Sequence, residues 1–184
     1  TLFGKNAAAG AIHLISKKPS DEFESELGMN VGNYNKQKFE AMVNVPLSDD
    51  LALRINLMDN SRDGYRENRF NGQKLSDENN GGTRASLLWK ATENTQVLAQ
   101  VDYSNLDQNA AVDSSLLFGD AYGDTQLDVT PHETLDLWGA SVTVESDLDK
   151  VLLTSITAIK RFESNNLRDE DGTDLFIATG GIVP

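Results

Sequence analysis

Apolar and polar residues alternate through residues 37–62, and one polar turn interrupts the alternation. Apolar side chains stand at every second position: Phe39, Ala41, Val43, Val45 and Leu47 before the turn, and Leu51, Leu53, Ile55 and Leu57 after it. Because successive side chains of a strand point to opposite faces, this pattern predicts a β-hairpin with one apolar face. The strands have about ten residues, which is longer than usual in soluble proteins and long enough to cross a bilayer when tilted.

The same alternation predicts further strands at about 22–33, 84–90, 95–104, 138–145 and 150–162. The fold class expected from it is all-β, an antiparallel up-and-down meander of about seven strands. Apolar residues occupy both faces of the strand at 150–162, so the sequence does not show which of its residues belong to the apolar face of the sheet.

The connections between these strands alternate in length. They are short at 48–50, 92–94 and 146–149 and long at 63–80 and 105–133. In a meander this places the short turns at one end of the sheet and the long loops at the other, as in outer-membrane barrels. Such a barrel also predicts aromatic girdles, with Phe23 and Trp89 at one end of the apolar face and Phe39, Tyr103 and Trp138 at the other. A soluble sandwich with cross-strand aromatic pairs is the alternative.

Composition narrows the functional classes. The chain has 184 residues, a net charge of −13 and no cysteine, which argues against nucleic acid as a partner and excludes disulfides and thiolate metal sites. It has no apolar run long enough for a transmembrane helix. His13 and His132 have neither metal-ligand nor catalytic-triad spacing to other candidates, so we predict no catalytic residue, no metal site, no cofactor and no enzyme activity.

Residues 2–19 run from a Leu-aromatic-Gly turn through small residues to a short strand, 11–16, that ends in Ser-Lys-Lys-Pro. Its marker residues are Leu2, Phe3, Gly4, Gly10 and Ile12. This segment resembles the end of the plug domain in TonB-dependent outer-membrane receptors, where it leads into the first barrel strand. Two positions depart from that pattern: Ala9 replaces the first glycine of a usual pair, and His13 replaces a usual asparagine.

The resemblance implies two domains: the C-terminal end of a plug at 1–19, with its last strand, and the N-terminal part of a receptor β-barrel at 20–184. The chain would then be a fragment, about a third of a transmembrane barrel of about twenty-two strands. The resemblance also implies a place in the cell outer membrane of a Gram-negative bacterium, in contact with lipid. A missing N-terminal region would contact TonB.

The function that the resemblance implies is active uptake of a scarce solute, foremost a ferric siderophore or another iron chelate. Uptake of an oligosaccharide or cobalamin, a passive porin and a soluble β-sandwich binding module remain alternatives. Candidate substrate-binding residues combine flat apolar surface with fixed positive charge, which suits an anionic chelate. They are Tyr65, Arg66, Arg69 and Phe70 in the first long loop and Phe118 and Tyr122 in the second. Arg54 and Arg84 are expected to face the lumen. An ordinary solvated loop is the alternative for each candidate in the first loop, and packing against a neighbouring loop is the alternative for Phe118 and Tyr122.

Overall fold

The computed structural model describes residues 15–109 and 125–169, and within them the fold is an antiparallel β-meander, as predicted. The strands are β1 (Glu24–Gly32), β2 (Lys36–Ser48), β3 (Leu51–Arg62), β4 (Arg66–Glu67), β5 (Lys74–Leu75), β6 (Glu78–Thr92), β7 (Thr95–Gln108), β8 (His132–Asp147) and β9 (Leu152–Leu167). Seven of them form one sheet in the order β1-β2-β3-β6-β7-β8-β9. β4 and β5 form a separate two-stranded ribbon between β3 and β6. No helix in the described ranges is long and apolar enough to cross a membrane.

The strands β6 to β9 extend further towards the long loops than the side-chain pattern predicted, whereas β1 is slightly shorter than the predicted 22–33. The loops expected at 63–80 and 105–133 were too long, because β6 already begins at Glu78 and β8 at His132. Backbone pairing needs only a neighbouring strand, so the hydrogen-bonded ladder continues after the apolar alternation has ended. A strand was predicted at 11–16. Ile15 and Ser16 are not in a strand, and residues 11–14 lie outside the described ranges.

The register brings the apolar positions of all seven long strands to one face of the sheet. One row across the sheet consists of Val43, Ile55, Ala85, Val101, Ala140 and Ile159. The next row consists of Val45, Leu53, Leu87, Ala99, Val142 and Thr157. We call this side of the sheet the apolar face and the opposite side the polar face. The pairing also assigns the faces of β9, since Ile159 lies beside Ala140 on the apolar face.

Exposure is the reverse of that in a soluble sheet. On the apolar face Val101 is 56% exposed and Trp89 50%. On the polar face Asn44 is 0% exposed, Ser86 2% and Arg54 6%. Within the described part of the chain no second sheet covers the apolar face, so its side chains are left without a protein partner layer.

Large aromatic side chains lie near the two ends of the apolar face. Trp89 pairs with Leu51 close to the short turns, whereas Tyr103 lies opposite Trp138 towards the long loops. Tyr103 pairs with Thr83 of β6. At a rise of about 3.4 Å per residue, Thr83 and Trp89 are about 20 Å apart along that strand. The rows between them are aliphatic or small.

Candidate binding loops and the polar face

The connections at the long-loop end begin with a tight turn between β1 and β2. Tyr34 and Asn35 both have positive φ, 60° and 54°, and the amide of Lys36 donates to the carbonyl of Asn33 at 3.3 Å. Two consecutive residues with positive φ make a type I′ turn, which follows the natural twist of a hairpin. The turn therefore presents Tyr34 at the same end of the sheet as the long loops.

Tyr34 lies against Tyr65 of the first long loop. Their ring centroids are 5.8 Å apart with an interplanar angle of 48°, and the guanidinium carbon of Arg62 lies 4.9 Å from the centre of the Tyr65 ring. Both tyrosines remain about half exposed. The result is a flat aromatic surface beside a fixed positive charge. Sequence reasoning missed Tyr34; the available signal was an aromatic residue at the tip of a tight turn on the loop side.

A charged cluster below this surface is centred on Glu78. Its carboxylate accepts hydrogen bonds from Lys36 Nζ at 2.7 Å, Arg62 Nε at 3.0 Å and Asn60 Nδ2 at 3.1 Å. Glu78 lies three residues beyond Gly81, whose row contains Phe39 but otherwise the polar Asp59, Asn105 and Asp136, and so it lies outside the apolar band. The hydrogen bond from Lys36, followed by those from Asn60 and Arg62, lowers the pKa of Glu78 to about 2.

This cluster predicts how acid affects stability. Because the folded pKa of Glu78 lies below the unfolded value, its contribution is complete above about pH 4.5 and disappears as pH falls towards 2. We expect the difference in unfolding free energy between wild type and Glu78→Gln to be constant from neutral pH to about pH 5 and to shrink below it. Denaturant titrations at a series of pH values measure this difference. A difference that does not change down to pH 2 would contradict the assignment.

The structure places four of the predicted binding residues together in the first long loop. Tyr65, Arg69 and Phe70 are exposed, and Arg66 is half-buried in β4. Phe118 and Tyr122 lie outside the described residues, as do the plug markers Leu2, Phe3, Gly4, Gly10 and Ile12. The predicted role of Phe118 and Tyr122 in substrate binding therefore stays a prediction.

The two long loops do meet through a residue that sequence reasoning missed. Asn68, 0% exposed, donates from Nδ2 to the carbonyl of Leu127 at 2.8 Å and accepts from the amide of Leu127 at 2.9 Å. Backbone bonds of Thr125 to Glu67 and Arg69 flank this contact. An isolated asparagine in a polar loop gives no signal of such a role.

Gly64 allows the first loop to fold back on itself. A Cβ at this position would lie 2.6 Å from the carbonyl oxygen of Leu75 and 2.8 Å from its amide nitrogen, distances that real Cβ atoms do not adopt. The close approach to β5 therefore requires glycine.

We expect Gly64→Ala to push the loop away from β5 and to increase trypsin cleavage after Arg66 and Arg69 several-fold in the folded receptor. Gly28→Ala is the matched control, since an added Cβ there meets Glu40 Cβ at an ordinary 3.7 Å. Equal cleavage rates in the two variants would contradict the close packing of Gly64.

The polar face holds the segment 16–22, which precedes β1. Asn44 accepts from the amide of Ser20 at 3.1 Å and donates to the carbonyls of Ser20 at 2.9 Å and Glu22 at 2.6 Å. Further along the sheet Arg84 donates to Ser16 Oγ at 2.5 Å, and Lys18 pairs with Glu145 at 2.8 Å. The segment is thus attached to β2, β6 and β8.

Arg54 and Arg84 lie on the polar face, and their place in a barrel lumen stays a prediction. The buried side chain of Arg54 forms an ion pair with Glu24 at 3.1 Å, and Glu24 belongs to another strand of the same sheet, β1. Arg84 lies 3.8 Å from Asp102 and also reaches Ser16. No group of three or more potential metal ligands occurs among the described residues.

Comparison with known proteins finds bacterial receptors among the relatives of this chain. Over 104 residues, 55% of this chain, the sequence is 26% identical to the metal-pseudopaline receptor CntO of Pseudomonas aeruginosa strain PAO1, and equally so to that of strain UCBPP-PA14. The matched stretch amounts to 14% of the length of those receptors. No family model and no solved structure matches the chain. The similarity is thus to a short part of a receptor.

Proposed function

We propose that this chain is part of a TonB-dependent outer-membrane receptor that takes up a metal chelate. The observation that carries this proposal is the distribution of exposure over the sheet. Aliphatic and aromatic side chains are exposed across all seven long strands, whereas polar side chains such as Asn44, Arg54 and Ser86 are buried on the other face. Lipid around a barrel favours this arrangement, because the outer surface meets hydrocarbon and the lumen is polar.

The attached segment 16–22 supports the same proposal. In a receptor with a plug, the chain crosses from the lumen to the first barrel strand along the polar inner wall. Here the segment runs along the polar face to β1 and is bonded to three strands. We therefore propose residues 1–19 as the end of a plug and 20–184 as barrel. A passive porin has no plug segment leading into its first strand.

The chemical class of the substrate follows from the relatives and from the loop end. The metal-pseudopaline receptors are named for a metal chelate, and their similarity supports a metal chelate here. Tyr34 and Tyr65 with Arg62, together with Arg66, Arg69 and Phe70, would provide flat contacts and positive charge for it. Among metal chelates we propose ferric siderophores first.

Cell fractionation followed by an uptake assay tests the proposal. We expect the full-length receptor in the outer-membrane fraction, and accumulation of a metal-loaded chelate that is lost on gene deletion and on treatment with a protonophore. Ferric siderophores and metal-loaded pseudopaline are the two probes. Recovery of the receptor in the soluble fraction would overturn the membrane proposal, and uptake that survives the protonophore would indicate a porin.

The response of receptor abundance to iron supply tests separately whether the metal of the chelate is iron. We expect the abundance of the receptor in outer membranes to rise severalfold when iron is withheld from growing cells. Unchanged abundance, with the receptor still in the outer membrane, would exclude iron as the regulating metal and turn the search to other metal chelates.

A further inference from the structure

We propose that Asn68 is a positioning residue that joins the first long loop to residues 125–127 of the second and so holds Arg69 and Phe70 in a fixed position for the ligand. The proposal rests on the proposed function, since it concerns how the loops hold a metal chelate. Asn68 is buried and does not itself touch the ligand; it acts by fixing the loop residues that do.

Both the oxygen and the nitrogen of the Asn68 side-chain amide form hydrogen bonds with loop residues. Its oxygen accepts from the amides of Leu127 at 2.9 Å and Phe70 at 3.2 Å, and its nitrogen donates to the carbonyl of Leu127 at 2.8 Å. The backbone carbonyl of Asn68 accepts from Gly72 at 2.7 Å. One side chain therefore fixes the turn that carries Phe70 and joins that turn to the second loop.

The backbone on either side of Asn68 is bonded to the second loop as well. The amide of Thr125 donates to the carbonyl of Glu67 at 2.9 Å, and the amide of Arg69 donates to the carbonyl of Thr125 at 2.8 Å. Leu75 and Leu127, the most buried apolar side chains in the described ranges, belong to the same two loops. Buried amides and apolar groups make this contact costly to open.

The consequence concerns affinity. Arg69 and Phe70 are exposed, yet their backbones are fixed by Thr125 and Asn68. A ligand that contacts them meets a loop already ordered, so less of the binding free energy is spent on ordering it. Opening the contact with the second loop would free the backbone of Arg69 from Thr125 and remove the Leu127 bonds that hold Asn68 in place. Binding by Arg69 and Phe70 is therefore expected to depend on residues 125–127.

Variants of Asn68 in the full-length receptor, in isolated outer membranes, test this role. Asn68→Ala removes all side-chain bonds, and Asn68→Asp keeps the size and the acceptor but loses the donor to Leu127. Asn79→Ala is the matched control, because Asn79 is exposed at the same end of the sheet and takes no part in the contact. Heat-resistant migration on gels checks that each variant is folded.

Two measurements are made on each variant: the rate of trypsin cleavage after Arg69, and the Kd for metal-loaded pseudopaline. For Asn68→Ala we expect cleavage about tenfold faster and a Kd about tenfold higher, with Asn68→Asp intermediate and Asn79→Ala unchanged. Cleavage at the wild-type rate overturns the contact between the loops, and faster cleavage with an unchanged Kd overturns the positioning role.

The two proposals fail in different ways. If wild type binds neither metal-loaded pseudopaline nor a ferric siderophore, the proposed substrate class is wrong. The cleavage rates then still decide whether Asn68 holds the loops together, because that measurement needs no ligand.

Discussion

Asn44→Ala is expected to increase the rate at which the amide of Ser20 exchanges its hydrogen by about a hundredfold. That amide donates directly to Asn44, and the carbonyls of Ser20 and Glu22 accept from the same side chain, which is 0% exposed. Losing these bonds leaves three part-buried backbone groups without their partner, at a cost of about 1 kcal/mol each, the net value of an ordinary hydrogen bond. A total of about 3 kcal/mol in local opening corresponds to roughly two decades in exchange rate.

Asn56→Ala is the control for this experiment. Asn56 lies on the same polar face, beside Met42 in the register, and contributes none of the bonds to the segment 16–22. We expect its variant to change the exchange of Ser20 by less than threefold. Hydrogen exchange measured by mass spectrometry on the folded full-length receptor gives both values. Equal exchange in wild type and Asn44→Ala would show that Arg84 and Lys18 hold the segment without Asn44.

The two faces of the sheet were predictable because their signal is local. A period of two in residues such as Val43, Ile55 and Val101 depends only on neighbouring positions, and the register observed in the sheet keeps it intact. The start of β6 at Glu78 was not predictable from this signal, since its first residues are polar and their pairing partner is set by β3. The sequence pattern also did not show that the apolar face is exposed; only the structure shows this.

The bonds that hold the candidate site together are non-local, which is why the sequence did not reveal them. Asn44 binds residues more than twenty positions earlier, and Asn68 binds Leu127, 59 positions later. Nothing in the residue type distinguishes these asparagines from exposed ones nearby. Tyr34 escaped for the same reason, because its ring contacts Tyr65 in a loop that follows two further strands.

Val101→Lys is expected to destabilise the receptor in a lipid bilayer by about 2–4 kcal/mol. Val101 lies in the central part of the apolar face, between Ala85 and Ala140, and is 56% exposed in the described chain. If lipid covers that face, the ammonium group is placed near the middle of the hydrocarbon, where lysine carries a cost of this size. If water covers it, the substitution is an ordinary surface change worth about 0.5 kcal/mol or less.

Asn105→Lys separates the effect of lipid from that of the substitution itself. Asn105 is on the same strand and the same face as Val101, four residues closer to the long loops, in a row that also contains Asp136. We expect its variant to differ from wild type by less than about 1 kcal/mol, because lysine near the interface reaches the polar boundary. Urea titrations of the receptor folded in lipid vesicles measure both variants. Equal stability of Val101→Lys and Asn105→Lys would mean that the apolar face does not meet hydrocarbon, and the proposed place in the membrane would be wrong.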